Sequence, residues 1–313
     1  MKILLLAGGW SPEREISIRG AMEIEAALRR MGNSTETLDP IKDLPLIIRE
    51  GAKSDFVFIN MHGAPGEDGL IQAILEKIPA PYNGSDSAVS IIALNKYVSK
   101  IYYKDAGLPV CPDLFVAGGE EALSLPFAYP AIIKPNAGGS SIRLRKLAGE
   151  KDLEQARADL MGEAGGEYLI EPMIEGIEIT CPVMGNAGGE CRAMPTILIQ
   201  PAAGGIFDFY AKYTDNAARE ICPAPVEARL NDRIQGLAEA AHKALGLSGV
   251  SRSDFMVDGE ENIYILETNT LPGMTPNSLL PKSAKAMGMS FEDLLSRIIE
   301  LGLEKFAAER KAK

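Results

Sequence analysis

The chain opens with two successive hydrophobic periods. Residues 2–7 form a short, nearly continuous apolar run, which is typical of a buried strand. After a Gly-Gly pair, Ser11 and Pro12 suit an N-cap and a first helical position. Apolar residues then recur near a 3.6-residue period across residues 18–31, which predicts a helix. A strand, a glycine-rich turn and a helix indicate the opening of an α/β unit.

The rest of the chain mixes short strands with amphipathic helices, and no internal repeat interrupts it. A first domain boundary is predicted close to Leu94, because two predicted helical pieces meet there. The later predicted strands cover residues 129–134, 168–171 and 177–184, and predicted helices cover residues 231–246 and the stretch after Ser290.

A predicted hairpin near the C-terminus is the most distinctive local pattern. Residues 253–257 and 263–267 are strand-like, and Asp258-Gly259 between them is a strong hairpin signal. With Glu260 and Glu261 as a two-residue loop, Asp258 pairs with Ile263. The same register then continues along both strands towards Arg252.

This register would bring four polar side chains onto one face. Asp254 would pair with Glu267 and Arg252 with Asn269, and directly opposed or alternate residues share a face. Two carboxylates and a carboxamide oxygen are hard ligands that suit Mg²⁺. The alternative interpretation is a solvated edge hairpin, and a slip of one residue would turn these side chains to the opposite face.

Composition limits the classes of function. The net charge of −11 over 313 residues disfavours non-specific binding to nucleic acid or to an anionic membrane. Four cysteines without C-x-x-C spacing and only two histidines disfavour a zinc site. Unpaired cysteines fit a reducing compartment, and no apolar run has the length needed to span a bilayer. We therefore expect a cytoplasmic protein.

Two polar clusters lie in the N-terminal third. Glu13 and Glu15 fall in the first turns of the first predicted helix, where interaction with the helix dipole is the favoured interpretation. His62 and Glu67 lie in a glycine-rich loop after the strand at residues 55–59. Such loops bind ligands in α/β sheets, although a lone loop histidine is more often structural.

Three further segments offer groups for a nucleotide. Lys134 ends a strand and precedes a Gly- and Ser-rich loop that could wrap phosphate oxygens, but the loop is not a P-loop, and a plain turn is the alternative. Glu171 and Glu178 alternate with apolar residues, as in a surface strand or in a hinge that meets a nucleobase and its sugar. Lys212 and Tyr213 lie in a long polar loop of the kind that forms lids.

Taken in order, these motifs resemble the D-alanine–D-alanine ligases of the ATP-grasp superfamily. The resemblance rests on G-G-W-S-P-E-R-E-I-S, H-G-A-P-G-E-D-G, K-P-N-A-G-G-S-S, E-P-M-I-E-G-I-E-I-T, A-K-Y-T-D and R-S-D-F through E-T-N-T-L-P-G-M-T-P, and it covers nearly the whole chain. It implies an α/β domain over residues 1–94, followed by a two-part ATP-grasp unit with antiparallel sheets. The parts are a central subdomain over residues 95–178 and a catalytic domain over residues 179–313.

The resemblance also implies the ligands and the residues that bind them. The nucleotide is ATP with two Mg²⁺ ions (Mn²⁺ is possible), the substrates are two D-alanine molecules, and a homodimer is the family expectation. The ATP-binding residues would be Lys96, Lys134, Glu171, Met173, Ile174, Glu178 and Lys212, and the metal ligands would be Asp254, Glu267 and Asn269.

The same resemblance assigns the chemistry. ATP converts a carboxylate to an acyl phosphate, and the second amine attacks it to give an oxyanion that Arg252 and the backbone N–H of Gly273 would stabilise. Glu15 would bind the ammonium group of the first D-alanine, with Ser140 and Tyr213 tying it to the lid. The remaining substrate contacts would be His62, supported by Glu67, for the first D-alanine and Ser278 for the second.

A few positions depart from the family pattern. Trp10 replaces a small or polar residue, Val98 an arginine, Pro172 a charged residue, and Arg143 a glycine. None of the four changes removes a residue with a chemical role, but Arg143 predicts a different closure of the phosphate loop. One alternative function is a D-alanine–D-lactate or other D-amino-acid ligase, and Tyr213 disfavours the D-lactate activity. The other alternative is a non-catalytic ATP-binding protein.

Overall fold

Three β-sheets organise the fold of the protein. The computed structural model describes residues 1–117, 124–139, 143–161, 166–201 and 218–312. The sheets follow one another along the chain, each with its own helices, in agreement with the expected α/β unit followed by two antiparallel units. The division at residues 94 and 178 stays a prediction, and the second position falls inside a strand of the third sheet.

The first sheet is parallel, with strand order β2-β1-β3. Its central strand is fully buried from Ile3 to Leu6, because helices cover both faces. The elements up to residue 105 are β1 (Lys2–Ala7), α1 (Arg14–Arg30), β2 (Ser34–Leu38), α2 (Pro40–Gly51), β3 (Phe56–Asn60), α3 (Leu70–Leu75), α4 (Ser87–Leu94) and α5 (Lys96–Asp105). Of these, α4 and α5 pack against the third sheet, where Ala93 and Tyr103 join its core.

The first helix begins later than the sequence predicts. Ser11 is not its N-cap, since α1 starts at Arg14. The Ser11 hydroxyl instead accepts a hydrogen bond from the Glu13 N–H at 3.1 Å and donates one to the His62 carbonyl at 2.5 Å. The serine therefore joins the loops that follow the neighbouring strands β1 and β3, and both loops carry candidate site residues.

The second and third sheets are antiparallel. The second has the order β4-β7-β5-β6, and in the third the order is β11-β10-β8-β12-β13 with β9 paired to β8. Their elements are β4 (Leu114–Ala117), β5 (Ala131–Pro135), β6 (Arg145–Leu147), α6 (Glu150–Met161), β7 (Glu167–Pro172), β8 (Gly176–Gly185), β9 (Cys191–Ala193), β10 (Ile197–Pro201), β11 (Ala218–Ile221), α7 (Ala228–Ala244), β12 (Val250–Asp258), β13 (Ile263–Asn269), α8 (Leu279–Ala286) and α9 (Phe291–Ala312).

The two ends of the chain share one hydrophobic core. Leu294, Leu295 and Ile298 of α9 pack with Ile3 and Phe56 of the first sheet. The last helix therefore closes the N-terminal unit rather than the sheet that precedes it. No described helix is both long and apolar enough to cross a membrane.

The predicted hairpin is present, but its turn differs from the prediction. Val257, not Asp258, pairs with Ile263, so Asp258 faces Asn262 and the loop between them has three residues, 259–261. Within this loop Glu261 lies in the left-handed region at φ 59°. The Asp258 carboxylate stabilises this wider loop by accepting hydrogen bonds from the N–H groups of Glu260 and Asn262, each at 2.9 Å. A β-bulge opposite the Asp254–Phe255 step, where Leu266 of β13 is the additional residue, then restores the predicted register further along the strands.

His242 of α7 is a buried structural group. Its ring nitrogens contact the Ser251 hydroxyl at 2.8 Å and the Gly185 carbonyl at 3.2 Å. Burial lowers the pKa of His242 to about 4. The imidazole is therefore neutral in the folded protein around neutral pH and links α7 to β8 and β12.

We expect this histidine to make folding pH-dependent. Because the folded-state pKa lies below the unfolded value of 6.5, the unfolded chain binds the proton more tightly, and stability is lost as pH falls from 6.5 towards 4. The loss should approach about 3 kcal/mol. Urea unfolding between pH 4 and 7 should show a smaller pH slope for His242→Gln than for the unchanged protein; equal slopes would contradict the assignment.

Candidate active site

A large cavity opens between the second and third sheets, with loops of the first sheet at one end. Its volume is about 1470 Å³. Lys134 and Glu171 line it from the second sheet, Asp254 and Glu267 from the third, and Glu13 from the loop after β1. Eight of the candidate residues line this cavity: Lys96, Lys134, Glu171, Met173, Ile174, Glu178, Asp254 and Glu267. Glu67 and Asn269 line a small pocket that shares Lys96 and Glu267 with it.

The hairpin β12–β13 supplies the paired carboxylates. Asp254 lies directly opposite Glu267, and Arg252 lies opposite Asn269, as predicted. The Arg252 guanidinium binds Asp254 in a bidentate manner, with Nε to Oδ1 and Nη2 to Oδ2 both at 2.9 Å. Thr180 of the neighbouring strand β8 donates a further hydrogen bond to Asp254, so the carboxylate is held in one orientation.

These donors suit a hard divalent cation. Asp254 and Glu267 contribute carboxylate oxygens, and Asn269, two residues beyond Glu267 on the same strand face, contributes a carboxamide oxygen. Within the described segments no three His, Cys, Asp or Glu side chains cluster as metal ligands. A cation on this hairpin would therefore depend on Asn269 as well as on the two carboxylates.

Two lysines bring positive charge to the cavity. Lys96, the first residue of α5, lies 3.1 Å from the Glu267 carboxylate and donates to the Gly138 carbonyl at 2.6 Å. It thereby joins the third sheet to the loop after β5. Lys134, at the end of β5, lies 2.6 Å from Glu171 of β7. Both lysines are nearly buried, which strengthens their interaction with an anion.

Glu171 is buried between two lysines. Lys134 contacts its Oε2, and Lys100 of α5 contacts its Oε1. Burial opposes the charge of the carboxyl group, but the two lysines outweigh it and lower the pKa of Glu171. Burial likewise opposes the charge on Lys134, and Glu171 outweighs it and raises the pKa of Lys134. Lys100 was not a candidate in the sequence, since nothing local marks it as a partner of Glu171.

The segment after Glu171 forms one side of the cavity. Met173, Ile174 and Glu178 all line it. The Met173 N–H donates to the Pro130 carbonyl at 2.9 Å, which fixes this segment against the start of β5. The Met173 N–H is therefore engaged within the protein.

The structure corrects the assignment of the N-terminal glutamate. Glu15 does not face the cavity: its side chain is 80% exposed and lies 4.0 Å from Arg14. Glu13 is 7% exposed and lines the cavity. Because α1 begins at Arg14, Glu13 belongs to the preceding turn and points inward, whereas Glu15 lies on the solvent side of the first helical turn.

His62 and Glu67 lie in one buried loop beside Glu13. The Gly63 N–H donates to the Glu67 carboxylate at 2.7 Å, which closes the loop on itself. Burial lowers the pKa of His62, so that the imidazole is neutral at neutral pH. Burial also raises the pKa of Glu67 to about 7. The Glu67 carboxyl group can therefore change protonation state near neutral pH.

Gly273 and Ser278 meet at the same end of the cavity. The Ser278 hydroxyl accepts a hydrogen bond from the Thr275 N–H at 3.1 Å, and it contacts the Thr275 hydroxyl at 2.8 Å. A Cβ atom at position 273 would lie 2.8 Å from Ser278 Oγ and 3.9 Å from His62 Cε1. The backbone of Gly273 is thus packed between two candidate substrate contacts.

Gly273→Ala should lower kcat/KM by about 100-fold, because the added methyl group displaces Ser278 and crowds the reacting atoms. The fold should survive, since Ser278 is a movable side chain. Steady-state kinetics with a thermal melt provides the measurement. Gly259→Ala is the matched control, as a Cβ there meets nothing within 4 Å. Equal activity of both variants would show that this backbone does not approach the substrate.

Three predicted site residues, Ser140, Lys212 and Tyr213, lie outside the described residues. The described residue next to the phosphate loop, Arg143, has φ 63°, a conformation that favours glycine. Arg143 therefore adopts a backbone conformation that glycine adopts more readily, and it lines the cavity.

A parallel α/β unit followed by two antiparallel sheets around a cavity of lysines and carboxylates defines an ATP-grasp ligase. The family model described as D-ala D-ala ligase C-terminus matches residues 104–300. The chain is 46% identical over 304 residues to the D-alanine–D-alanine ligase of Oleidesulfovibrio alaskensis, with 97% of each chain covered. It is 44% identical over 305 residues to that of Nitratidesulfovibrio vulgaris, covering 97% of this chain and 98% of the relative.

Solved structures agree with these sequence relatives. The D-alanine–D-alanine ligase of Bacillus anthracis is similar with a TM-score of 0.85 at 33% identity, and 99% of each chain is covered. The structure of that enzyme complexed with ATP gives a TM-score of 0.84 at 30% identity, again with 99% of each chain covered. The chain belongs to the D-alanine–D-alanine ligase family.

Proposed function

We propose that this chain joins two D-alanine molecules in an ATP-dependent, ADP-forming reaction that supplies a peptidoglycan precursor. The main observation in support is the cross-strand pair Asp254 and Glu267 on one wall of the cavity. Arg252 and Lys96 lie beside this pair. Relatives with this activity in their names match over nearly the full chain. The first D-alanine carboxylate takes the γ-phosphoryl group, and the second amine then displaces inorganic phosphate.

The nucleotide would lie between the second and third sheets. Glu171 and the Met173 carbonyl would face the adenine, and Glu178 would face the ribose. Lys96 and Lys134 would face the phosphates. By family resemblance, Ile174 would lie beside the adenine and Lys212 would contact the phosphates. Asp254, Glu267 and Asn269 would hold two Mg²⁺ ions, for which Mn²⁺ could substitute. The bound metal supplies charge neutralisation between the carboxylate and the polyphosphate.

Glu13, rather than Glu15, would bind the ammonium group of the first D-alanine, because Glu13 is the glutamate inside the cavity. His62, supported by Glu67, lies beside it, and we keep Ser140 and Tyr213 as its proposed links to the lid. Ser278 would bind the second carboxylate. Arg252 and the N–H of Gly273 would stabilise the oxyanion that forms when the amine attacks.

The direct test is incubation of the protein with ATP, Mg²⁺ and D-alanine. The expected products are inorganic phosphate and D-alanyl-D-alanine, measured by mass spectrometry. A folded protein that binds ATP without forming dipeptide would contradict the proposal and favour a non-catalytic ATP-binding protein. D-lactate added in competition with D-alanine distinguishes a dipeptide ligase from a depsipeptide ligase, because only the second would form the ester product.

We further propose a cytoplasmic homodimer, which is the family expectation. Sedimentation velocity at micromolar concentration measures the oligomeric state. A monomer that retains full ligase activity would remove the dimer from the proposal without affecting the reaction.

A further inference from the structure

A fully buried lysine lies behind the nucleotide cavity without lining it. Lys100 is 1% exposed, one turn of α5 beyond Lys96. Its Nζ contacts Glu171 Oε1 and lies 3.2 Å from Asp113 Oδ1. A buried ammonium group is costly unless opposite charges compensate it. Lys100 therefore has its charge balanced entirely by groups at the back of the cavity.

Lys100 belongs to a chain of four alternating charges. The order is Asp113, Lys100, Glu171, Lys134, and Lys134 is the member that ends at the cavity near the proposed phosphates. Lys104, which is 51% exposed, also contacts Asp113, at 2.7 Å. Glu171 is thus shared: one oxygen is compensated by Lys100 and the other by Lys134.

We propose that Lys100 is a positioning residue for the nucleotide phosphates, because it takes up half of the Glu171 charge and leaves the charge of Lys134 available to ATP. Without Lys100, Lys134 alone would neutralise Glu171. It would then hold the carboxylate instead of the phosphate. The inference rests on the proposed placement of ATP, with its phosphates at Lys134 and its adenine at Glu171.

The alternative is a purely structural role, in which Lys100 only keeps the cavity in shape. The two roles differ in which part of the nucleotide they affect. A change in the shape of the cavity would weaken the binding of adenosine and of ATP by the same factor, because both contain the base and the ribose. Loss of available charge on Lys134 would weaken the binding of ATP and leave the binding of adenosine nearly unchanged.

The experiment compares adenosine and ATP binding to Lys100→Met. Trp10, the single tryptophan, lines the cavity and is 48% exposed, so its fluorescence is a suitable readout, with calorimetry as a second. The Kd for ATP should rise about tenfold, while that for adenosine stays within about twofold. The variant should fold, because Asp113 still forms an ion pair with Lys104, and Glu171 still forms one with Lys134.

Lys104→Met is the matched control, since it removes a lysine from the same helix and the same Asp113 without touching Glu171. Both affinities should remain within about twofold of the unchanged protein. Adding Glu171→Gln to Lys100→Met should restore the ratio of adenosine Kd to ATP Kd, because Lys134 is then released. Equal losses for both ligands, or no recovery of the ratio in the double variant, would overturn the proposal.

Lys134→Met separates this inference from the placement of ATP on which it rests. If Lys134→Met leaves ATP affinity unchanged, the phosphate assignment of Lys134 is wrong. If Lys134→Met weakens ATP binding but Lys100→Met does not, the phosphate assignment of Lys134 is retained and the proposed role of Lys100 is wrong. Should Lys100→Met alone fail to fold, Lys100→Gln, which can still donate a hydrogen bond to Glu171 but carries no charge, is measured in its place against the same outcomes.

Discussion

Asp254→Asn is expected to lower kcat on the order of 10³-fold, and Glu267→Gln by a similar factor. Both changes keep the size of the side chain but remove one negative charge from the hairpin face. The paired carboxylates would hold the cations that neutralise the transferring phosphoryl group, and such neutralisation contributes several kcal/mol to the transition state. Phosphate release over a range of Mg²⁺ concentrations measures the effect, and the Mg²⁺ requirement should rise.

Glu260→Gln is the control for this pair, because it removes one charge from the exposed turn of the same hairpin. It should keep kcat within about twofold. A thermal melt of each variant separates loss of function from loss of fold. If Asp254→Asn and Glu267→Gln retain more than a tenth of the activity at low Mg²⁺, the hairpin face is not the metal site.

Glu13→Gln should lower kcat/KM for D-alanine by about 100-fold, whereas Glu15→Gln should leave it within twofold. The physical reason is burial: a charge pair in a partly dehydrated cavity loses several kcal/mol when one partner is neutralised, and an exposed pair loses little. Glu13 is 7% exposed, and the Glu15 side chain is 80% exposed.

The two glutamates are compared by varying D-alanine at saturating ATP, since the affinity for ATP should not change in either variant. A larger loss for Glu15→Gln than for Glu13→Gln would reverse the assignment. Comparable small losses in both would place the ammonium group elsewhere in the cavity.

The hairpin illustrates how much could be predicted from sequence. The pairing of Asp254 with Glu267 is confirmed, but the two-residue turn from which it was predicted is wrong. The three-residue loop shifts the register by one, and the bulge between Asp254 and Phe255 shifts it back. Alternation along a strand indicates which residues share a face, but one additional residue in the loop and one in β13 leave no clear trace in the pattern.

Glu13 and Glu15 illustrate a limit of a different kind. Both lie in the same predicted first turns, and the sequence offers Ser11 as an equally good N-cap. In the structure Ser11 bonds the His62 carbonyl, the helix begins at Arg14, and Glu13 lines the cavity. The contact of Ser11 joins residues 51 positions apart, which no local pattern indicates.

By itself, the sequence determined the order of the three units, the family, and the lysine and carboxylate residue types, because periodicity and motifs are local properties of the chain. Only the tertiary structure decided which glutamate of the first turn faces the cavity and that Lys100 shares Glu171 with Lys134. Burial and charge pairing join residues from separate elements, so their energies depend on distances that no local pattern contains.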